Sequence, residues 1–154
     1  VEHNIDRDSH PELEAEFLYK AGAGKLGTDE MTFINILGKR TRSDIRKIEE
    51  AYNEEHPELP LVEAIKKEMS FKLKDAMVAL VTPRPDYFAR VLQDAVKGVG
   101  TKDSTVVMVF SLLDESEIKK VSRSYYVIYR KSLLDDLRSD TSGNYRELLM
   151  ALIN

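Results

Sequence analysis

Gly22-Ala23-Gly24-Lys25-Leu26-Gly27-Thr28-Asp29-Glu30 returns later in the same chain as Val96-Lys97-Gly98-Val99-Gly100-Thr101-Lys102-Asp103, with Gly27 and Gly100 73 residues apart. Each glycine loop is followed by a patterned run and then by an acid: Glu68 lies 41 residues after Gly27, and Asp140 lies 40 after Gly100. Glycine accepts positive φ without a Cβ clash, so a tight glycine loop turns successive carbonyls toward one point. Ca²⁺ takes roughly six to eight oxygens at about 2.3–2.6 Å, from carbonyls, carboxylates and waters. The predicted donors in the first copy are the carbonyls of Gly22, Lys25 and Gly27, closed by the Glu68 carboxylate. In the second copy they are the carbonyls of Val96, Gly98 and Gly100, closed by Asp140. Such a set has few formal charges and vacant positions. It predicts weak calcium binding alone, tightened when a lipid phosphate fills the vacancies.

Outward from the loops the chain reads as helices separated by regular punctuation. Pro11 suits the first position of a helix running to about Lys20, with Leu13, Phe17 and Leu18 expected inward. Thr28 is expected to cap the next helix, which carries Phe33, Ile34, Ile36 and Leu37. Ser43 is expected to cap a third, with Ile45, Ile48 and Tyr52 at i, i+3, i+7. His56-Pro57 ends it. Pro60 opens a fourth with Leu61, Ile65 and Met69, and a fifth holds Leu73, Met77 and Leu80. After Thr82-Pro83-Arg84-Pro85 the series restarts. Its third helix repeats the earlier pattern as Ile118, Val121 and Tyr125, 73 residues on. Beyond it the offset falls to 72, as in Leu61/Leu133, Glu68/Asp140 and Leu80/Leu152. The fold class read from this is all-α, two repeats of five helices each, at 11–82 and 83–154 behind a leader at 1–10.

The bulk properties narrow the functional classes. At 154 residues the chain buries a sound core as one domain or two small modules. Net charge is −4, which argues against nucleic acid and against a polybasic membrane patch; a bridging cation removes the second objection. Without Cys there is no disulfide, thiol chemistry or cysteine zinc ligand, which fits a reducing compartment. Apolar runs fall short of the ~20 residues of a membrane span, and the start, Val1-Glu2-His3, is polar.

Leu18-Tyr19-Lys20-Ala21-Gly22, Leu26-Gly27-Thr28-Asp29-Glu30, Phe33-Ile34-Asn35-Ile36-Leu37 and Arg40-Thr41 together resemble the third repeat of annexins. Asp86-Tyr87-Phe88-Ala89, Lys97-Gly98-Val99-Gly100-Thr101, Asp140-Thr141-Ser142-Gly143-Asn144-Tyr145-Arg146 and Leu148-Leu149-Met150-Ala151-Leu152 resemble the fourth. The similarity covers roughly residues 11–154. The resemblance implies a right-handed superhelical bundle of five helices, A to E, in each repeat. It places calcium in the A–B loop, with an acid from the D–E loop, and so implies calcium-dependent binding to acidic phospholipids, on the positions chosen above. Leu26 and Val99, at the loop tips, are the expected membrane contacts. Four repeats are the family's norm and two are present, so a face left apolar is expected to self-associate.

The chain departs from the family pattern at four places. Phe71 stands where the second copy has Gly143, Leu113 replaces the arginine that the first copy has as Arg40, Lys102 replaces the acid that Asp29 supplies, and Leu26 stands where a Trp is usual. Arg40 is expected to brace helix ends, which predicts a looser second repeat. These departures motivate an alternative, a calcium-independent scaffold or cytoskeleton-binding module that kept the fold.

Other chemistry is poorly supported. Gly22-Ala23-Gly24-Lys25 fails as a phosphate loop because Leu26 follows the lysine. His3, His10 and His56 form no i, i+4 pair and are expected to be exposed or near helix ends. There is no G-x-S-x-G elbow and no EF-hand loop. In Ser124-Tyr125-Tyr126-Val127-Ile128-Tyr129, Tyr125 and Tyr129 belong inside and Tyr126 outside. The expected protein is a non-enzymatic calcium binder, cytoplasmic and peripheral at anionic membranes when calcium rises.

Overall fold

The computed structural model describes residues 9–97, 100 and 102–153. These form ten helices and no strand: α1 Pro11–Ala21, α2 Glu30–Leu37, α3 Arg42–Glu55, α4 Leu61–Glu68, α5 Phe71–Val81, α6 Arg84–Val96, α7 Asp103–Leu112, α8 Glu115–Tyr129, α9 Leu133–Asp140 and α10 Gly143–Ile153. They divide into two compact units at Pro83/Arg84, five helices to each. None of the described helices is long and apolar enough to cross a membrane.

In the first unit α1 packs on α2 and α3, and α5 closes against α2, α3 and α4. Its core includes Ala15, Leu18, Phe33, Leu37, Ile45, Ile48, Tyr52, Leu61, Ile65, Met77 and Val81. The second unit has α6 on α7, α8 and α9, with α10 against α8 and α9. Its core includes Ala89, Leu92, Val106, Ile118, Val121, Tyr125, Leu133, Leu137, Leu149 and Ile153. Three registers relate the two sets. The first helices match at an offset of 74 (Ala15/Ala89, Leu18/Leu92), the second and third at 73, and the last two at 72 (Leu61/Leu133, Met77/Leu149). The extra step is one residue more in the first glycine loop: Ala21 accepts from the Asp29 N–H (2.7 Å) where Ala95 accepts from the Lys102 N–H (2.9 Å).

The inward face of α1 differs from expectation. Leu18 is buried, but Leu13 and Phe17 are exposed, and the buried positions are Glu14, Ala15, Leu18 and Ala21. Small Ala15 and Ala21 suit close approach of helices, and Glu14 goes inside because Arg40 meets it there. Arg40 Nε donates to Glu14 Oε1 (2.6 Å), Ser9 Oγ donates to Oε2 (3.1 Å), and the two charged side chains are only 9% and 18% exposed. In the second unit the corresponding residues are Phe88 and Leu113, both buried in one apolar cluster. The second unit thus has apolar side chains at both places where the first has its ion pair. Such a replacement is often neutral or stabilising.

Two caps also differ. Asp29, not Thr28, caps α2, accepting from the Thr32 N–H (3.3 Å) and hydroxyl (2.9 Å). Those bonds hold its carboxyl below the usual value. Thr41, not Ser43, caps α3, accepting from the Asp44 N–H (3.2 Å). Thr41 has the extended φ/ψ typical of a cap, and Asp29 has a non-helical one, which sequence pattern does not reveal. The basic cluster around Arg40 is absorbed by the fold: Arg42 donates to the Ala79 and Leu80 carbonyls at the end of α5, and Arg46 pairs with Glu50. Tyr126 is exposed and Tyr125 buried, as the helical spacing predicts. His10 and His56 lie at helix ends, and the His56 ring stacks on Tyr19 with centroids 3.7 Å apart.

Matched Tyr52 and Tyr125 are both fully buried but differently served. The Tyr125 hydroxyl donates to Asp136 Oδ2 (2.6 Å) and lies 2.8 Å from the Gln93 side-chain amide. The Tyr52 hydroxyl is buried with no partner among the described residues, and burial pushes its pKa up to about 12. Tyr52→Phe is therefore expected to be neutral or to stabilise by up to about 1 kcal/mol, whereas Tyr125→Phe destabilises by about 1–2 kcal/mol. Thermal melts of the two variants check this; a loss for Tyr52→Phe equal to that for Tyr125→Phe contradicts it.

Candidate calcium-binding loops

The first loop is built from its own hydrogen bonds. Gly22 N–H closes α1 on Leu18 and Tyr19 carbonyls, Gly24 N–H returns to the Tyr19 carbonyl (2.8 Å), and Lys25 N–H bonds the Gly22 carbonyl (3.1 Å). Gly27 takes φ +80°, a conformation that L side chains rarely adopt. Gly100 takes φ +85° at the matched position of the second loop. No described backbone N–H bonds to the carbonyls of Lys25 or Gly27, so both retain their acceptor capacity. The Gly22 carbonyl spends one lone pair on Lys25 and keeps the other.

Glu68 ends α4 and is brought to this loop across 40 residues of sequence. Thr28 Oγ1 donates to Glu68 Oε2 (3.0 Å) and approaches the Glu68 carbonyl (3.1 Å). A Cβ placed on Gly22 would sit 3.6 Å from Glu68 Cγ. Glu68 thus lies beside Gly22 and is bonded by Thr28, the residue that follows Gly27. Thr28 is the residue that sequence reasoning misassigned: it holds the acid instead of capping α2. Its repetition as Thr101, directly after the last glycine of each loop, was the available signal.

In the second unit Val96 is the last residue of α6, and Asp140 the last of α9, which packs on α6. The predicted donor Gly98, the predicted lipid contact Val99, and Thr101 lie outside the described residues. Burial is the main cause of the raised pKa of Tyr52 and of Tyr125, and the Glu68 charge adds to the first as the Asp140 charge adds to the second. The α9–α10 junction has its own brace, in which Arg146 Nε donates to the Thr141 carbonyl (2.7 Å). Lys102 occupies the N-cap of α7 without a side-chain capping bond, where Asp29 makes two. No cluster of three or more His, Cys, Asp or Glu occurs among the described residues. The donor chemistry present is main-chain oxygen plus a single carboxylate, which fits a hard cation such as Ca²⁺ and no soft metal.

The annexin family model matches residues 14–80 and 87–152, one stretch in each unit. The chain belongs to the annexin family. It is 37% identical over 142 residues to annexin A3 of Mus musculus, covering 92% of this chain and 43% of the relative. It is 34% identical over 144 residues to annexin A7 of Dictyostelium discoideum, covering 92% and 31%. Among solved structures, annexin III superposes with a TM-score of 0.90 at 33% identity, over 96% of this chain and 45% of that one. Calcium-bound annexin (Sm)1 superposes with 0.85 at 27% identity, over 94% and 43%. The chain spans less than half the length of these relatives.

Proposed function

We propose that this chain binds Ca²⁺ in its two glycine loops and uses the bound ions to attach to acidic phospholipid surfaces, without catalysing a reaction. The observation that carries the reading is the Thr28–Glu68 contact, which holds a distant acid against a loop whose Lys25 and Gly27 carbonyls have no N–H partner. Family membership supports it, as does the likeness to a calcium-bound annexin. The donors are Gly22, Lys25, Gly27 and Glu68 in the repeat at 11–82, and Val96, Gly98, Gly100 and Asp140 in the repeat at 83–154. Lipid phosphate completes each shell, and the tips Leu26 and Val99 enter the interface. Leu26 is fully exposed, so entry removes apolar area from water at no cost in native contacts.

The direct test is sedimentation with phosphatidylserine vesicles in calcium and in chelator. Sedimentation in calcium only is expected; equal sedimentation in both overturns the proposal. Calcium that binds the native state is also expected to raise the melting temperature, since it adds stability with the logarithm of ligand excess, about 2.7 kcal/mol at a hundredfold excess over Kd. A melting curve indifferent to calcium at millimolar concentration counts against the sites.

The second reading, a protein-binding scaffold, is favoured by the exposed apolar side chains Leu13 and Phe17 on α1 and Met31 on α2. Such a face suits a protein partner or self-association. It predicts concentration-dependent sedimentation velocity with no calcium response.

A further inference from the structure

Phe71 is the most anomalous residue outside the donor set. It opens α5 at φ +54°, where bulky residues are genuine outliers, and its ring is 84% exposed. The matched position in the second unit is Gly143, at φ +60°. Nothing local repays the conformation: Ser70 makes no side-chain capping bond, and the ring buries little. Phe71 is three residues from Glu68, and Leu26 is two residues from Thr28; the Thr28–Glu68 contact ties these segments together. The two exposed apolar residues are thus carried by segments that meet at this contact. Exposed lysines flank them, Lys25 beside Leu26 and Lys72 beside Phe71, with Lys67 beside Glu68. The second junction has Gly143 and Asn144 at the places of Phe71 and Lys72.

We infer that Phe71 is an apolar anchor that inserts below the headgroups of an anionic bilayer while Lys72, Lys67 and Lys25 meet the phosphates. The inference rests on the calcium-dependent membrane reading and adds to it a contact from the α4–α5 junction. Strained, exposed residues persist where function retains them. An aromatic ring with an adjacent cation matches an interface that is apolar below and anionic above. The anchor belongs to the first unit alone, so the two loops grip the membrane unequally.

The chain has no Trp, so Phe71→Trp creates a unique fluorophore at the proposed contact. With phosphatidylserine/phosphatidylcholine vesicles and calcium, its emission is expected to shift to the blue and to be quenched by brominated acyl chains; chelator reverses both. Phe71→Gly is expected to keep or raise the melting temperature and to weaken calcium-dependent vesicle binding about tenfold, the loss of one buried aromatic side chain. Emission that stays unshifted while Phe71→Trp still sediments in calcium overturns the anchor and leaves the membrane reading standing. Failure of the wild-type chain to sediment in calcium overturns both. A blue shift in calcium without vesicles assigns this surface to a second copy of the chain, and also overturns the anchor.

Discussion

Glu68→Ala combined with Asp140→Ala is expected to abolish calcium-dependent binding to phosphatidylserine vesicles while the far-UV helical signal persists. Each proposed site draws on one carboxylate, and the rest of its protein donors are neutral carbonyls. Two unit charges about 4 Å apart interact by about 4 kcal/mol at an effective dielectric near 20. Each ~1.4 kcal/mol is a factor of ten in affinity, so losing the acid weakens a site by roughly a hundredfold or more. Neither side chain is part of the two apolar cores, so truncation opens no cavity in them. In Glu68→Ala the Thr28 hydroxyl keeps the main-chain carbonyl of residue 68 as an acceptor. Vesicle binding that survives in the double variant means the ions are held elsewhere.

Arg40→Leu is expected to be the most damaging single substitution in the first unit. It leaves Glu14 buried in an apolar setting, still bonded by the Ser9 hydroxyl. Removing one member of a buried pair costs about 3–5 kcal/mol, a drop of roughly 10 °C or more in melting temperature. The second unit supplies the remedy, because Phe88 and Leu113 fill the matched positions. Glu14→Phe with Arg40→Leu is expected to recover most of the loss, giving a coupling energy of several kcal/mol in a double-mutant cycle. Additive effects of the two substitutions would show that the pair is not a unit. Tyr19, stacked on His56 and touching the loop through Gly24, makes the first unit's melting a second readout of loop integrity.

Helix number, order and approximate ends were legible in the residues themselves. Proline and glycine punctuation and an i, i+3, i+7 pattern are local, and Ile45, Ile48 and Tyr52 recur as Ile118, Val121 and Tyr125 with matching burial. The pairing of each glycine loop with a distant acid was legible too, because it is duplicated at nearly fixed spacing, and in the first unit Thr28 does meet Glu68. Three things were not. The buried face of α1 depends on Arg40, 26 residues from Glu14, and no periodicity within α1 announces that partner. Thr28 reads as a helix cap until Glu68 arrives 40 residues later to take its hydroxyl. Phe71 looks like an ordinary apolar helix residue until its φ is known.

The amino-acid sequence by itself determined two five-helix repeats and a pair of glycine loops with distant acids, since those follow from hydrophobic period and backbone freedom. Only the tertiary structure decided which charges go inside, which hydroxyl holds Glu68, and which aromatic is left standing in solvent. Those outcomes are set by contacts between residues far apart in the chain, where burial and hydrogen-bond satisfaction outweigh local preference.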